Sequence, residues 1–440
     1  MINPVYLTYL GITSGLYTAG LPYALLYSRL SGRYRRSIYQ RMGISPQPVA
    51  ALTGRTPRIW LHAVSMGEVT AATPVIEALQ SAMPNAGIVL SVSTEHGYDL
   101  ACARLPSDIV CIYAPVDFIL SVRNAFRNIQ PDIMVFVETE LWPNWLMTAR
   151  RMGVRTAVIN GRISERAFRR YSRIRPLMKP VLNAIDAFSM IQDTDAQRIL
   201  AIGADADRIS VNGNAKYDLL IRHTDSRIAP AMQRLFALND DSPVFLAGST
   251  RQSEEDIILD VYQKISPYLP GMLLIIAPRH TERCNAIQRR IAARGLKYQL
   301  RTELEGTPRT APIVILNTMG ELQAAYSIAT VVFCGGSLVP LGGQNILEPA
   351  AWGKPVLYGP SMADFMDAKN ILEASGGGIE VENGDDLAEK VRFFLTRPDH
   401  TRLIGNRARK AVEMNQGAAR KHADIICSVL AMGKTHISRH

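Results

Sequence analysis

The sequence is poor in cysteine, and its five (Cys102, Cys111, Cys284, Cys334 and Cys427) lie far apart with no Cys-x-x-Cys pair. That excludes a zinc ribbon or a disulfide framework and suits a reducing compartment, with free thiols as the expected state. No cluster of His, Cys and Asp has metal-ligand spacing, so no metal is expected. Neither the phosphate-binding G-x-x-x-x-G-K-[ST] pattern nor the dinucleotide pattern G-x-G-x-x-G occurs, which argues against ATP hydrolysis and hydride transfer. Heptads, zinc-finger spacing and aromatic RNA-binding motifs are missing too, so no nucleic-acid partner is expected.

Charge is absent from residues 1–28. Val5 to Tyr27 is long enough to cross a bilayer, which needs roughly 20 mostly apolar residues. Threonines, glycines and tyrosines keep its hydrophobicity moderate. The positive charge follows the apolar run, at Arg29, Arg33, Arg35, Arg36 and Arg41; a cleaved signal peptide carries it in front. By the positive-inside rule those arginines are expected to hold the rest of the chain on the cytoplasmic side of the membrane. Residues 1–28 are thus expected to be an N-terminal membrane anchor, spanning the bilayer or lying in its interface among phospholipids. The net charge of +10 is uneven: Arg150 to Lys179 holds nine arginines and one lysine against a single acid, Glu165. An anionic membrane surface or a phosphorylated lipid is the partner such a stretch suits.

From residue 58 onward short apolar runs alternate with helical segments. RIWLHAVS, GIVLSVST, DIVCIYAP, DIMVFVET, TAVING and DAFSMIQD read as strands, and GEVTAATPVIEALQSAM as a helix between the first two. A second series (PVFLAGST, GMLLIIAPRH, IVILNT, TVVFCGG, KPVLYGP) begins after a polar break at about 222–242. Continuous apolar runs spaced in this way indicate α/β architecture with parallel sheets covered on both faces. The expected domains are 29–225 and 226–440, with ligands bound at the strand ends.

Polar residues at those strand ends are the candidates for chemistry. Ser65-Met66-Gly67-Glu68 follows the first strand, and a carboxylate there suits a general base; complementing the helix dipole is the bland alternative. His62, within the strand, is expected to be a core histidine. Glu138 and Glu140 lie two apart in E-T-E-L-W-P-N-W, where Pro143 is placed to open a helix and Trp142 and Trp145 are expected in the core. Lys216 closes the first half in G-N-A-K and could neutralise charge on a leaving phosphate. In the second half Arg279 of P-R-H suits a phosphate. Thr318 to Leu322 (T-M-G-E-L) offers backbone N–H groups to an anion, and the glycines of 335–349 let backbone approach a ligand beside Asn345 and Glu348. Asp193-Thr194-Asp195 matches the D-x-D of some metal-using sugar transferases, but it precedes a predicted helix and is expected to cap it.

The blocks H-A-V-S-M-G-E, E-T-E-L-W-P-N, N-G-R-I-S, G-N-A-K-Y-D, A-G-S-T, P-R-H, T-M-G-E-L and G-G-S…G-G-Q-N-I-L-E-P follow one another in this chain. In that order they resemble the 3-deoxy-D-manno-octulosonic acid (Kdo) transferases over about residues 1–425. The resemblance implies a GT-B fold with two Rossmann-like domains and a cleft between them. Residues 29–225 would bind the acceptor and 226–440 the CMP-sugar. It implies CMP-Kdo as donor, a lipid A precursor as acceptor, inversion at the anomeric carbon, and no metal or other cofactor. By position, Glu68 would be the base, with Glu138 and Lys216 supporting the transition state. Pro278, Arg279, Met319, Gly320, Glu321, Asn345, Ile346, Leu347 and Glu348 would bind CMP. Gln344 stands where the family usually has histidine, and Thr250-Arg251-Gln252 replaces the usual Thr-His-Glu. The alternatives are a GT-B enzyme using another nucleotide-sugar, or an inactive nucleotide- and lipid-binding scaffold.

Overall fold

The computed structural model describes residues 4–31, 37–44, 51–221, 224–225, 227–239 and 242–437. Side chains at 24, 25, 27–29, 31 and 433–437 lie outside that description. The chain forms two units, Met1–Asp218 with Gln416–His440, and Leu219–Asn415.

The first unit is built on β1 (Arg58–Ala63), β2 (Gly87–Val92), β3 (Val110–Tyr113), β4 (Ile133–Val137), β5 (Arg155–Gly161), β6 (Ala187–Met190) and β7 (Ile209–Val211). Their order is β3-β2-β1-β4-β5-β6-β7, with parallel pairing throughout. β2 and β4 are buried along their whole length, as continuous apolar runs require when helices cover both faces. On one face Trp60, Phe126, Phe136 and Trp145 pack together, with the rings of Trp60 and Trp145 5.0 Å apart. The order reverses between β1 and β4, and at such a switch point the loops leaving the two strands diverge and open a crevice.

The second unit repeats the plan with β8 (Val244–Thr250), β9 (Leu273–Pro278), β10 (Tyr298–Leu300), β11 (Ile313–Ile315), β12 (Val331–Cys334), β13 (Val356–Tyr358) and β14 (Gly378–Glu380). Here the order is β10-β11-β9-β8-β12-β13-β14, all parallel, with the reversal between β8 and β12.

Three expectations change. Residues 416–440 belong to the first unit rather than to a C-terminal domain running to 440. The helix Ala418–Ile437 packs Ala419, Ala423, Ile426 and Val429 into the core cluster that holds Ile59 and Leu61 of β1 and Val69, Val75 and Ile76 of the helix Met66–Ala82. The polar break near 222–242 contains a helix, Ile228–Leu235, while residues 222, 223, 226, 240 and 241 lie outside the described residues.

The third change concerns the N-terminus. Pro4–Ser31 is one helix, but among the described residues no helix is long and apolar enough to cross a membrane. Thr8, Thr13, Ser14 and Thr18 dilute its apolar character, and its tyrosines hold it to the first unit. Tyr6 is fully buried and donates to Asn144 Oδ1 at 3.0 Å, Tyr9 donates to Asp117 Oδ2 at 2.6 Å, and Tyr17 stacks on Phe118 at 4.1 Å. The opposite side exposes Leu7, Ile12, Leu16, Tyr23, Leu26 and Leu30. Of the arginines expected at the membrane, Arg33, Arg35, Arg36 and the side chain of Arg29 lie outside the described residues. Arg41 is held by the fold: it donates to Ser93 O at 2.6 Å and lies over the Tyr113 ring.

Candidate active site

The switch point of the first unit gathers the three expected catalytic side chains. Ser65 ends the loop after β1 and Glu68 stands in the first turn of the helix Met66–Ala82. Glu68 turns back on the loop: Oε2 accepts from the Val64 N–H at 2.7 Å and Oε1 from Ser65 Oγ at 3.1 Å. Both bonds favour the carboxylate, yet burial outweighs them. Burial, aided by the nearby negative charges of Glu140 and Glu138, pushes the Glu68 carboxyl up to about 8. This is more than dipole complementation, which would leave an exposed and ionised acid. A buried carboxyl poised near physiological pH at a switch point fits a general base.

Glu138 follows β4, with its amide bonded to Ile159 O at 3.0 Å and φ at 61°. A non-glycine residue in that region costs of order 1–3 kcal/mol and persists where surrounding bonds fix it. The fixing bond is the ion pair from Lys216 Nζ to Glu138 Oε1, 2.7 Å. Lys216 also reaches the first loop, since a Cβ placed on Gly67 would lie 3.8 Å from its Nζ. Asn160 near the end of β5, also at positive φ, accepts the Ala215 amide at 2.8 Å. Asp218 accepts the Ala419 amide at 2.6 Å, tying the Lys216 segment to the C-terminal helix. His422 in that helix bonds Ser189 Oγ at 2.6 Å and Gly213 O at 3.1 Å. Sequence reasoning missed Asp218 and His422, because their partners are about 200 residues away.

Glu140 extends this group. Burial raises its carboxyl, and the indole N–H of Trp142 and the charge of Arg170 oppose the shift. Arg170 belongs to the helix Glu165–Arg173, in which no residue is buried. Arg162, Arg166, Arg169, Arg173, Arg175 and Lys179 are likewise exposed, giving the site a basic flank.

The remaining expectations for this unit resolve as packing. His62 is fully buried: its Nδ1 is 3.0 Å from Ser91 Oγ, its ring lies against Trp145, and burial pushes the imidazole down to about 3. Trp145 is core and Pro143 opens its helix, while Trp142 is only partly buried. Asp193 does not cap the helix Asp193–Ile202, whose cap position is Gln192. Asp195 is buried in its first turn and accepts the Ile163 amide at 2.7 Å.

In the second unit, the carboxyl ends of β8 and β12 are joined by a residue the sequence did not single out. Glu254 is fully buried and accepts four backbone N–H groups: Arg251 at 2.9 Å, Gly336 at 2.6 Å, and Ser337 and Leu338 at 3.1 Å each. It opens the helix Glu254–Ile265, with Glu255 and Asp256 also in the first turn. Gly335 explains the tightness of this loop, since a Cβ there would lie 2.6 Å from the Thr250 Cα.

Around this cradle, Arg279 is exposed after the buried Pro278, and its positive charge bears on Glu348. Burial raises the Glu348 carboxyl, which accepts from Asn345 Nδ2 at 3.1 Å. Arg279, Asn345 and Glu348 thus form one polar group. Ile346 and Leu347 are fully buried core residues, and the Leu347 N–H donates to Asn345 Oδ1. Their side chains are therefore unavailable to a ligand. Met319 is exposed and Gly320 has open space around it, at φ 86°. Glu321 accepts from Thr318 Oγ1 and from Arg301 at 2.6 Å, and so is held as a structural partner. Among the described residues, no group of three or more His, Cys, Asp or Glu side chains could hold a metal ion.

Two parallel-sheet units with polar clusters at both switch points define a class. The same architecture is found in UDP-GlcNAc 2-epimerase from Neisseria meningitidis (TM-score 0.61, 15% identity, covering 85% of this chain and 100% of that one). It is found again in a glycosyltransferase from Rickettsia africae (TM-score 0.57, 16% identity, 85% and 98%). The fold is thus of the GT-B type. Residues 36–219 match the sequence profile of the 3-deoxy-D-manno-octulosonic-acid transferase (kdotransferase) family. The 3-deoxy-D-manno-octulosonic acid transferase of Haemophilus influenzae is 29% identical over 91% of this chain and 93% of its own length. That of Bordetella pertussis is 28% identical over 87% and 88%. A bifunctional glycosyltransferase/methyltransferase of Fusobacterium nucleatum is 35% identical over 76% of this chain, which spans 52% of that longer protein. The chain is thus similar to Kdo transferases over most of its length, and it is an enzyme, a glycosyltransferase.

Proposed function

We propose that this enzyme transfers Kdo from CMP-Kdo to a hydroxyl of a lipid A precursor, lipid IVA, with inversion. The donor and the transferred sugar follow from the similarity to Kdo transferases; the mechanism rests on Glu68. Its carboxylate takes the proton of the acceptor hydroxyl while that oxygen bonds to the anomeric carbon of Kdo. The bond from that carbon to the phosphate oxygen breaks, and CMP leaves with the electron pair. The Glu138–Lys216 pair holds a cation beside Gly67, where it supports developing negative charge. In the second unit Arg279 suits the CMP phosphate, Asn345 and Glu348 suit its ribose or base, and the turn at Met319 and Gly320 offers backbone N–H groups. A phosphate leaving group met by arginine and backbone dipoles needs no metal, so transfer is expected to persist in EDTA.

The acceptor lies in a membrane, and two features support access to it. The basic flank from Arg162 to Lys179 suits the acceptor's phosphates. The N-terminal helix, docked through its tyrosines, leaves an apolar side suited to the interface of the inner membrane on its cytoplasmic side. The test is Glu68→Gln, which keeps size and polarity but removes the base. Transfer is expected to fall about 10²–10⁴-fold with CMP binding retained. Undiminished transfer by Glu68→Gln would refute the assignment.

A further inference from the structure

The carboxyl edge of the second sheet carries a cation that the proposed mechanism leaves unused. Arg251 follows β8 directly, as Arg279 follows β9. Thr250 and Pro278, the last residues of those neighbouring strands, are register partners, and the Arg279 amide donates to Thr250 O at 3.1 Å. The two arginines therefore leave adjacent strands side by side.

Arg251 is half-buried, and its Nη1 lies 2.8 Å from Nε2 of the exposed His280. A guanidinium has no acceptor, so the arginine donates and His280 Nε2 accepts, which holds the fork in place. Nε is buried without a hydrogen-bond partner, and the other Nη hydrogens have none among the described residues. The acids closest in sequence are engaged elsewhere. Glu254 takes the Arg251 backbone amide and three other backbone N–H groups, and Glu255 pairs with Arg283 through both oxygens at 3.0 Å. The acids outside the described residues, Asp240 and Asp241, precede β8. Seven residues at about 3.3 Å each put that edge of the sheet roughly 20 Å from Arg251. A half-buried guanidinium fixed by a neutral ring, with no carboxylate on it, is preorganised for an anion from outside the chain.

We propose that Arg251 binds the carboxylate of the donor sugar, with His280 as its positioning residue, so that the site selects a nucleotide-linked sugar acid over a neutral nucleotide sugar. This assignment rests on CMP-Kdo being the donor. A ulosonic acid bears its carboxylate on the anomeric carbon, the same carbon that the phosphate oxygen joins. The donor thus presents two neighbouring anions to two arginines on adjacent strand ends. Arg279, whose charge bears on Glu348, suits the phosphate beside the ribose-binding group. Arg251 suits the carboxylate, whose two oxygens accept parallel N–H bonds from a planar fork.

The test is displacement of radiolabelled CMP from the full-length protein, without acceptor, by CMP-Kdo and by unlabelled CMP. In Arg251→Gln the affinity for CMP-Kdo should fall roughly 10–100-fold, the worth of a charged hydrogen-bonded contact, while that for CMP changes less than about twofold. His280→Ala should weaken CMP-Kdo several-fold, again sparing CMP, which a merely structural histidine would not do. A thermal melt reports folding. If Arg251→Gln fails it, Arg251→Lys, which keeps the charge and loses the fork, decides by the same comparison, with CMP-Kdo alone weakened several-fold. Unchanged CMP-Kdo affinity in a folded Arg251 variant, or equal loss of both ligands, overturns the assignment and leaves the donor reading standing. A wild-type protein that binds neither ligand refutes the donor reading, and this assignment with it.

Discussion

At the scale of single residues, the distinguishing feature is a base held protonated until pH rises. A carboxyl raised from 4.5 to about 8 makes folding less favourable as pH increases through that window. The penalty is absent below the unfolded pKa and complete above the folded one. Glu68→Gln should therefore melt at higher temperature than wild type at pH 9, by several degrees, with little difference at pH 4. The same shift sets activity: kcat/KM should rise with pH along a limb near 8. Because the Glu140 charge helps hold Glu68 up, Glu140→Gln should move that limb to lower pH. A pH–rate series on both proteins checks this, and an unmoved or higher limb contradicts it. Glu68 was legible in the sequence from its place after an apolar strand. Its pKa was not, since that depends on burial and on Glu138 and Glu140 arriving from another strand.

At the scale of elements, buried carboxylates accepting backbone N–H groups hold the segments that carry the two polar clusters. Glu254 joins the β8 and β12 ends through four of them, and Asp218 ties the Lys216 segment to the helix Ala418–Ile437. Removing the Glu254 carboxylate leaves buried donors unsatisfied, at about 1–3 kcal/mol each before relaxation. Glu254→Ala should lower stability by about 3 kcal/mol and weaken CMP binding more than 10-fold, as denaturant melts and calorimetry would show. Unchanged CMP affinity in a folded variant would mean the loop does not shape the donor site. The long apolar strands were readable because full burial demands continuous apolar runs. β7, β10 and β14 were not: three residues each (ISV, YQL, GIE), at or next to a sheet edge, carry too little pattern. The return of the C-terminal helix was equally hidden, because its alanine-rich stripe would suit either sheet.

At the scale of the whole molecule, the two-unit plan followed from two series of strands separated by a polar break. The N-terminal helix was expected as an element, and the structure adds that it is two-sided. One side binds the first unit through Tyr6, Tyr9 and Tyr17; the other exposes leucines and isoleucine. Deleting residues 1–31 should slow transfer to acceptor in lipid vesicles at least 10-fold while changing CMP affinity less than twofold. Equal rates on vesicles before and after deletion would remove the helix from substrate access.

The central claim is the reaction itself, and mass spectrometry of the lipid tests it most directly. Purified full-length protein is incubated in detergent with CMP-Kdo and a tetraacylated lipid A precursor. The account predicts a mass increase of one or more Kdo units with release of CMP, and none with Glu68→Gln. An unchanged acceptor mass with the wild-type protein would contradict it.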